Sequence, residues 1–195
     1  IIGESGSGKS TLMNIIGTLD KPTDGDLIIN GQKASSMNKN QLAELRNQTI
    51  GFIFQFHYLL PEFSVLENIL LPYQIMHNKT TAQARKRAND LIEIVGLSKV
   101  RNNLATDISG GQQQRAAIAR ALINNPRIIL GDEPTGNLDS ETTETVYDLL
   151  RDINKEYNST FILITHDKRI AEKTDRILEI KDGKINVDFT NPIAP

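Results

Sequence analysis

The sequence predicts an α/β fold, a mostly parallel sheet with a small antiparallel β portion and an inserted helical lobe. Three observations point there. First, "TIGFIFQ" (49–55), "RIILGDEP" (127–134) and "TFILITH" (160–166) are short, nearly continuous apolar runs, as expected of strands buried on both faces. Second, helical patterns alternate with such runs, the order that lays strands parallel under crossover helices. Third, the interval from about 62 to 120 holds no strand pattern and is too long for a simple crossover, so it reads as a helical lobe.

The elements follow in order. "TLMNIIGTL" (11–19) has helical spacing at Leu12, Ile15 and Ile16, with Gly17 near its end. "DKPTDGDLIINGQ" (20–32) sets turn residues around a short strand at Leu27–Ile29. "NQLAELRNQ" (40–48) is a short helix, and the strand at 49–55 ends at Gln55. "TTAQARKRANDLIEIVGL" opens on a Thr80/Gln83 capping pair. It sets Ala84, Ala88, Leu91, Ile92 and Val95 on one face and stops at Gly96. "SETTETVYDLLRDINKEY" is a helix with Asp139 or Ser140 as N-cap and Val146, Leu149, Leu150 and Ile153 as its core stripe. "RILEIKDGKINVDF" is a hairpin on an Asp-Gly turn at 182–183.

The chain has 195 residues, the size of one domain. We divide it into an α/β core, 1–61 and about 119–195, and a helical subdomain, about 62–118. Hydrophobic residues at 38% and charged residues at 24% suffice for a core. A net charge of -2 argues against nucleic acid as a partner. With no cysteine there is no disulfide framework and no thiolate site. No apolar run approaches the roughly 18 residues that span a bilayer. Only "II" precedes the first glycine loop, where a buried strand takes about five residues. The sequence is therefore expected to be N-terminally truncated, inside a strand.

"GESGSGKST" carries the first chemistry. Gly3, Gly6, Gly8, Lys9 and Ser10 fit G-x-x-x-x-G-K-[ST], a phosphate loop, ahead of a helical pattern. Glycines let backbone N–H groups wrap a phosphate without Cβ clashes, and the helix start adds partial positive charge. Gly3, Ser5, Gly6, Ser7, Gly8, Lys9, Ser10 and Thr11 are the binding candidates. Lys9 reaches the outer phosphates, and the Ser10 hydroxyl is a Mg²⁺ ligand. "IILGDE" ends a buried strand on two carboxylates. Side-chain alternation sends Asp132 and Glu133 to opposite sides, so Asp132 can hold Mg²⁺ while Glu133 faces the attacking water as general base. An acidic pair at a strand end can also merely cap the next helix. His166, at another strand end, can hydrogen-bond a terminal phosphate; a lone histidine there is more often structural, and Gln55 shares that ambiguity. His57 and His77 have no such context.

A second glycine-rich helix start, "ISGGQQQRAAIARALINNP", lies about a hundred residues later, at 108–126. The order of phosphate loop, Gln after a strand, helical lobe, "ISGGQ", "ILGDEP", "NLD" and "TH" resembles the nucleotide-binding subunits of ABC transporters over essentially the whole chain. The resemblance implies a P-loop NTPase core that uses ATP and Mg²⁺. It implies Gln55 as the residue sensing Mg²⁺, water and the membrane partner. Ser109, Gly110, Gly111 and Gln112 become the signature motif and Asp139 the D-loop carboxylate, all of them cofactor-binding, and Lys9, Gln55, Glu133 and His166 the catalytic set. Ile108 stands where the family usually has Leu, and the family's adenine-stacking aromatic lies upstream of the phosphate loop.

The resemblance further implies a second copy of the chain as partner, with the signature loop of one clamping the γ-phosphate gripped by the other. A membrane permease is the second partner, and the cytoplasmic side of the bacterial inner membrane, peripherally, the location. "GFIFQFHYLLPEFSVLENILLP" and "GDEPTGNLDS" resemble the lipoprotein-release, macrolide-export and cell-division group. Phe56, Tyr58, Leu59, Leu60 and Phe63 would then line the groove for a permease helix, or in part the lobe core. A regulatory ATPase of a non-transporting complex that controls cell-wall hydrolysis stays open. A soluble ABC-type ATPase is disfavoured by the lack of a coiled-coil insertion or a second domain. A phosphate-loop nucleotide kinase is disfavoured by the signature helix and His166.

Overall fold

The structure is a computed structural model that describes residues 1–192. Helix α1 (Lys9–Ile16) leaves the glycine loop and stops at Gly17. Strands β1 (Ile28–Ile29) and β2 (Gln32–Lys33) pair antiparallel across Asn30 and Gly31. Helix α2 (Lys39–Thr49) is closed by an Asn38–Gln41 capping box and runs directly into β3 (Ile50–Phe54). Three helices follow, α3 (Val65–His77), α4 (Ala82–Ile94) and α5 (Gly110–Leu122). Then come β4 (Ile128–Asp132), α6 (Ser140–Tyr157), β5 (Thr160–Ile164), the short α7 (Lys168–Glu172), β6 (Arg176–Lys181) and β7 (Lys184–Thr190).

Strands β3, β4 and β5 form a parallel sheet in that order. Ile1 and Ile2 hold a strand's place between β5 and β6. The Ile1 amino group donates to Leu163 O and Thr165 N donates to Ile1 O, while Ile2 exchanges hydrogen bonds with Leu178 and Ile180. The β6–β7 hairpin turns on Asp182 and Gly183, both left-handed, as the Asp-Gly pair predicts.

Two cores cover the two faces of the parallel sheet. Ile53, Ile129 and Leu163 pack with Ile69 of α3, Leu91 of α4, Ile118 and Leu122 of α5 and Val146 of α6. Ile50, Leu130 and Ile164 face the other way, packing with Met13 of α1 and Leu45 of α2. The predicted stripe of α4 is buried throughout, and so are Val146, Leu150 and Ile153 of α6, with Leu149 half-buried.

One boundary is corrected. The N-cap of α4 is Thr81, whose hydroxyl accepts from Ala84 N, not Thr80. Thr80 Oγ1 instead accepts from Gln74 Nε2, which ties the linker back to α3. Adjacent threonines offer the same cap chemistry, and both are tied to α3, Thr80 to Gln74 and Thr81 to Tyr73.

Candidate active site

The parallel register gathers the site. Phe54, Asp132 and Ile164 lie in one row across the sheet. The residues that follow them, Gln55, Glu133 and Thr165 with His166, therefore emerge side by side at the carboxyl edge. Ile1 sits between Leu163 and Thr165, so the loop beginning at Gly3 rises from the same edge. Carboxyl edges of parallel sheets are where α/β proteins bind ligands.

Within the loop, Gly3 cannot be replaced without displacement, because a Cβ there would lie 2.2 Å from Ile180 O. Gly8 is the N-cap of α1 and supplies no side-chain cap, which leaves first-turn N–H groups for an external acceptor. Lys9 Nζ donates to Gly3 O at 2.9 Å and Glu4 O at 2.7 Å, drawing the loop into a ring. Ser7 is buried and its Oγ has no protein partner. Ser5, Gly6, Ser10 and Thr11 are exposed on the rim and first turn. A cage of N–H donors with an orphaned buried hydroxyl and a lysine held only by carbonyls fits a polyphosphate.

Asp132 belongs to the row that faces α1, which places it toward Lys9. Burial pushes its carboxyl above the usual range and the Glu133 charge pushes the same way, while Lys9 pulls it back. The divergence expected of Asp132 and Glu133 involves a turn as well as strand alternation. Glu133 has left the strand, adopts a left-handed φ of 45°, and donates its N–H to Ile164 O. That turn, not the pleat, aims its carboxylate at His166, whose Nδ1 lies 2.9 Å from Glu133 Oε1. The two residues line a polar cleft of about 140 Å³ together with Thr135, Gly136, Thr165 and Asp167. A larger, more apolar cleft of about 550 Å³ between β5, β6 and α6 contains none of these groups.

Among the described residues no cluster of three or more His, Cys, Asp or Glu side chains could hold a metal by itself. Mg²⁺ takes one or two protein oxygens plus phosphate oxygens and water. Ser10, Gln55 and Asp132 each carry an oxygen of that kind.

Ser109 and Gln112 form a capping box on α5: Gln112 N donates to Ser109 Oγ and Ser109 N donates to Gln112 Oε1. A Cβ at Gly111 would lie 2.9 Å from Thr142 Cγ2, so the starts of α5 and α6 abut. Asp139 caps α6 through Thr142 N and Thr142 Oγ1, bonds that hold its carboxyl below the usual range. Within the chain, Ser109–Gln112 neither line the Glu133–His166 cleft nor bond to the loop at Gly3–Thr11. Of the predicted groove residues, Phe56, Tyr58 and Leu60 are exposed. Phe63 is half-buried, and Leu59 packs against the lobe core.

Two residues escaped the sequence reading. Asn137 exchanges two hydrogen bonds with Gln55. Arg120 of α5 donates to the carbonyls of His57 and Tyr58. The signal for Arg120 was present, since an arginine inside the apolar run Ala116–Leu122 needs acceptors.

Comparison with known proteins agrees with this geometry. The ABC transporter family profile matches residues 1–136. The chain is 50% identical over 185 residues to the lipoprotein-releasing system ATP-binding protein LolD 1 of Rhodopseudomonas palustris, covering 95% of this chain and 82% of that one. Among solved structures, the ATP-binding cassette MJ0796 in a dimeric post-hydrolysis state bound to ADP and Pi superposes with a TM-score of 0.87 at 42% identity, covering 97% of this chain and 83% of that one. The dimeric structure of MJ0796 as a bacterial ABC transporter cassette gives 0.87 at 43% identity with the same coverage. The profile alone spans more than half of the chain and the relative's identity carries the match to nearly all of it, so this chain belongs to the ABC transporter family.

Proposed function

We propose that the chain is the ATP-hydrolysing subunit of a lipoprotein-releasing type of transporter, acting as a head-to-tail dimer of two copies that drives a membrane permease. In this reading it sits peripherally on the cytoplasmic side of the bacterial inner membrane. Among the described residues no helix is long and apolar enough to cross a membrane. The lipoprotein-releasing relative and the two dimeric cassettes support the assignment. The observation that carries the chemistry is the Glu133–His166 contact beside Asp132, at the sheet edge that also bears the phosphate loop.

The steps follow from the side chains. Lys9 exchanges the carbonyls of Gly3 and Glu4 for phosphate oxygens, and the N–H groups of the loop from Gly3 to Thr11 surround the same anion. Mg²⁺, when bound, neutralises charge developing on the phosphates; Ser10, Gln55 and Asp132 are the residues to hold it. Glu133 accepts a proton from the attacking water. His166 orients that carboxylate through Nδ1. Ser109, Gly110, Gly111 and Gln112 serve the nucleotide of the other copy, and Asp139 faces that copy. The helical subdomain, about 62–118, moves with the permease against the core, and exposed Phe56, Tyr58 and Leu60 form the contact.

Glu133→Gln is the direct test. The amide keeps the shape and removes the base, so turnover falls about 10²–10⁴-fold while ATP binding is retained. Steady-state hydrolysis and calorimetry on the same preparation check both halves. Near wild-type turnover removes Glu133 from the role of base.

A further inference from the structure

We propose that Asn137 is a positioning residue that orients the Gln55 carboxamide so that its oxygen is presented to the Mg²⁺–nucleotide. The inference rests on the reading of Gln55 as a ligand of that metal. Its basis is a chain of hydrogen bonds in which each amide orientation is forced by the one before. The Gln55 main-chain carbonyl can only accept, so the group 3.1 Å from it must be the Asn137 Nδ2 amide. That leaves Asn137 Oδ1, which also can only accept, facing the Gln55 side chain. Gln55 must then turn its Nε2 amide to it, as it does at 3.0 Å. The Oε1 of Gln55 is the atom left outside the pair, and oxygen is the atom that a hard divalent cation takes.

The backbone around Asn137 is built for this approach. A Cβ on Gly136 would lie 2.9 Å from Gln55 Nε2 and 3.1 Å from Glu133 Oε2, so the loop runs close against the ends of both side chains. Gly136 N in turn donates to Glu133 O, which fastens the loop to the residue that bears the proposed base. Asn137 lies two positions before Asp139, the N-cap of α6. One side chain thus joins the end of β3 to the loop that leads into α6. Without it, the Gln55 amide is free to rotate and offers nitrogen as readily as oxygen.

The readout is the ratio of ATP affinities with Mg²⁺ and with excess chelator, measured by calorimetry on the intact chain with Glu133→Gln as background. Asn137→Ala should lower the advantage given by Mg²⁺ by about fivefold, the size of one hydrogen bond, and leave the metal-free affinity unchanged. Adding Asn137→Ala to Gln55→Ala should lower the ratio no further than Gln55→Ala alone. A Gln55→Ala ratio equal to the background overturns the reading of Gln55 as ligand, and the proposal with it. A lowered ratio in Gln55→Ala with an unchanged one in Asn137→Ala overturns the proposal alone. So does an Asn137→Ala protein whose metal-free affinity falls as much as its Mg²⁺ affinity, because the loop is then merely damaged.

Discussion

Asp132 and Glu133 are neighbours with different surroundings, and the difference separates their roles. Asp132 ends β4 on the face toward α1, half-buried, and its carboxyl is raised first by burial and then by the Glu133 charge. The folded protein therefore holds a proton on Asp132 more tightly than the unfolded chain does. Stability falls as pH rises from the unfolded carboxylate value through the raised folded value, and the penalty is complete above the folded value. Asp132→Asn should accordingly raise the melting temperature at neutral pH, with a gain that shrinks in acid, while Mg²⁺-dependent ATP hydrolysis is lost. Thermal melts of both proteins across that range check the sign. A site residue that lowers stability is an expected cost of function. Glu133 is placed by its left-handed backbone and by His166. Residue type was legible in "GDE"; the turn was not, because it depends on Glu133 N reaching Ile164 O on the next strand.

At the scale of elements, the segment after β3 is held from α5. His57 and Tyr58 are consecutive left-handed residues, with φ of 54° and 47°. Such residues cost about 1–2 kcal/mol each. The Arg120 guanidinium, whose pKa is lowered by burial, donates to both of their carbonyls and offsets that strain. Tyr58 also meets Phe54 edge to face. The exposed Phe56 and Tyr58 rings are thus carried on a strained turn tied to the helix that Ser109 caps. Arg120→Ala should cost about 1–3 kcal/mol by leaving those carbonyls without their donor. Backbone hydrogen exchange should then quicken first in residues 56–60, before the strands respond. Helix ends are simpler. Ser64→Ala removes one half of the Ser64–Glu67 capping box of α3 and should cost about 1 kcal/mol in chemical denaturation.

For the whole molecule, the separation of Ser109–Gln112 from the phosphate loop within one chain makes the dimer testable. Lys9→Ala removes the grip of its own copy, and Ser109→Arg blocks the clamp offered to the other. Mixed in one dimer, both defects fall on one site and the second site is intact. With Glu133→Gln in both chains, each mixed dimer should trap one nucleotide where either parent dimer traps close to none. Trapping no better than the parents removes Ser109 from service in trans. Much of this molecule is written locally. The phosphate loop, the Ser109–Gln112 cap, the Asp182–Gly183 turn and the stripe of α4 depend on residues a few positions apart, so spacing and backbone preference determined them. Tertiary structure alone decided that Thr81 rather than Thr80 caps α4, that Glu133 turns toward His166, and that Asn137 meets Gln55 from 82 residues away. Those contacts depend on the packing of α3 and on the register of β3, β4 and β5, and a register is set by neighbouring strands, which no local spacing encodes.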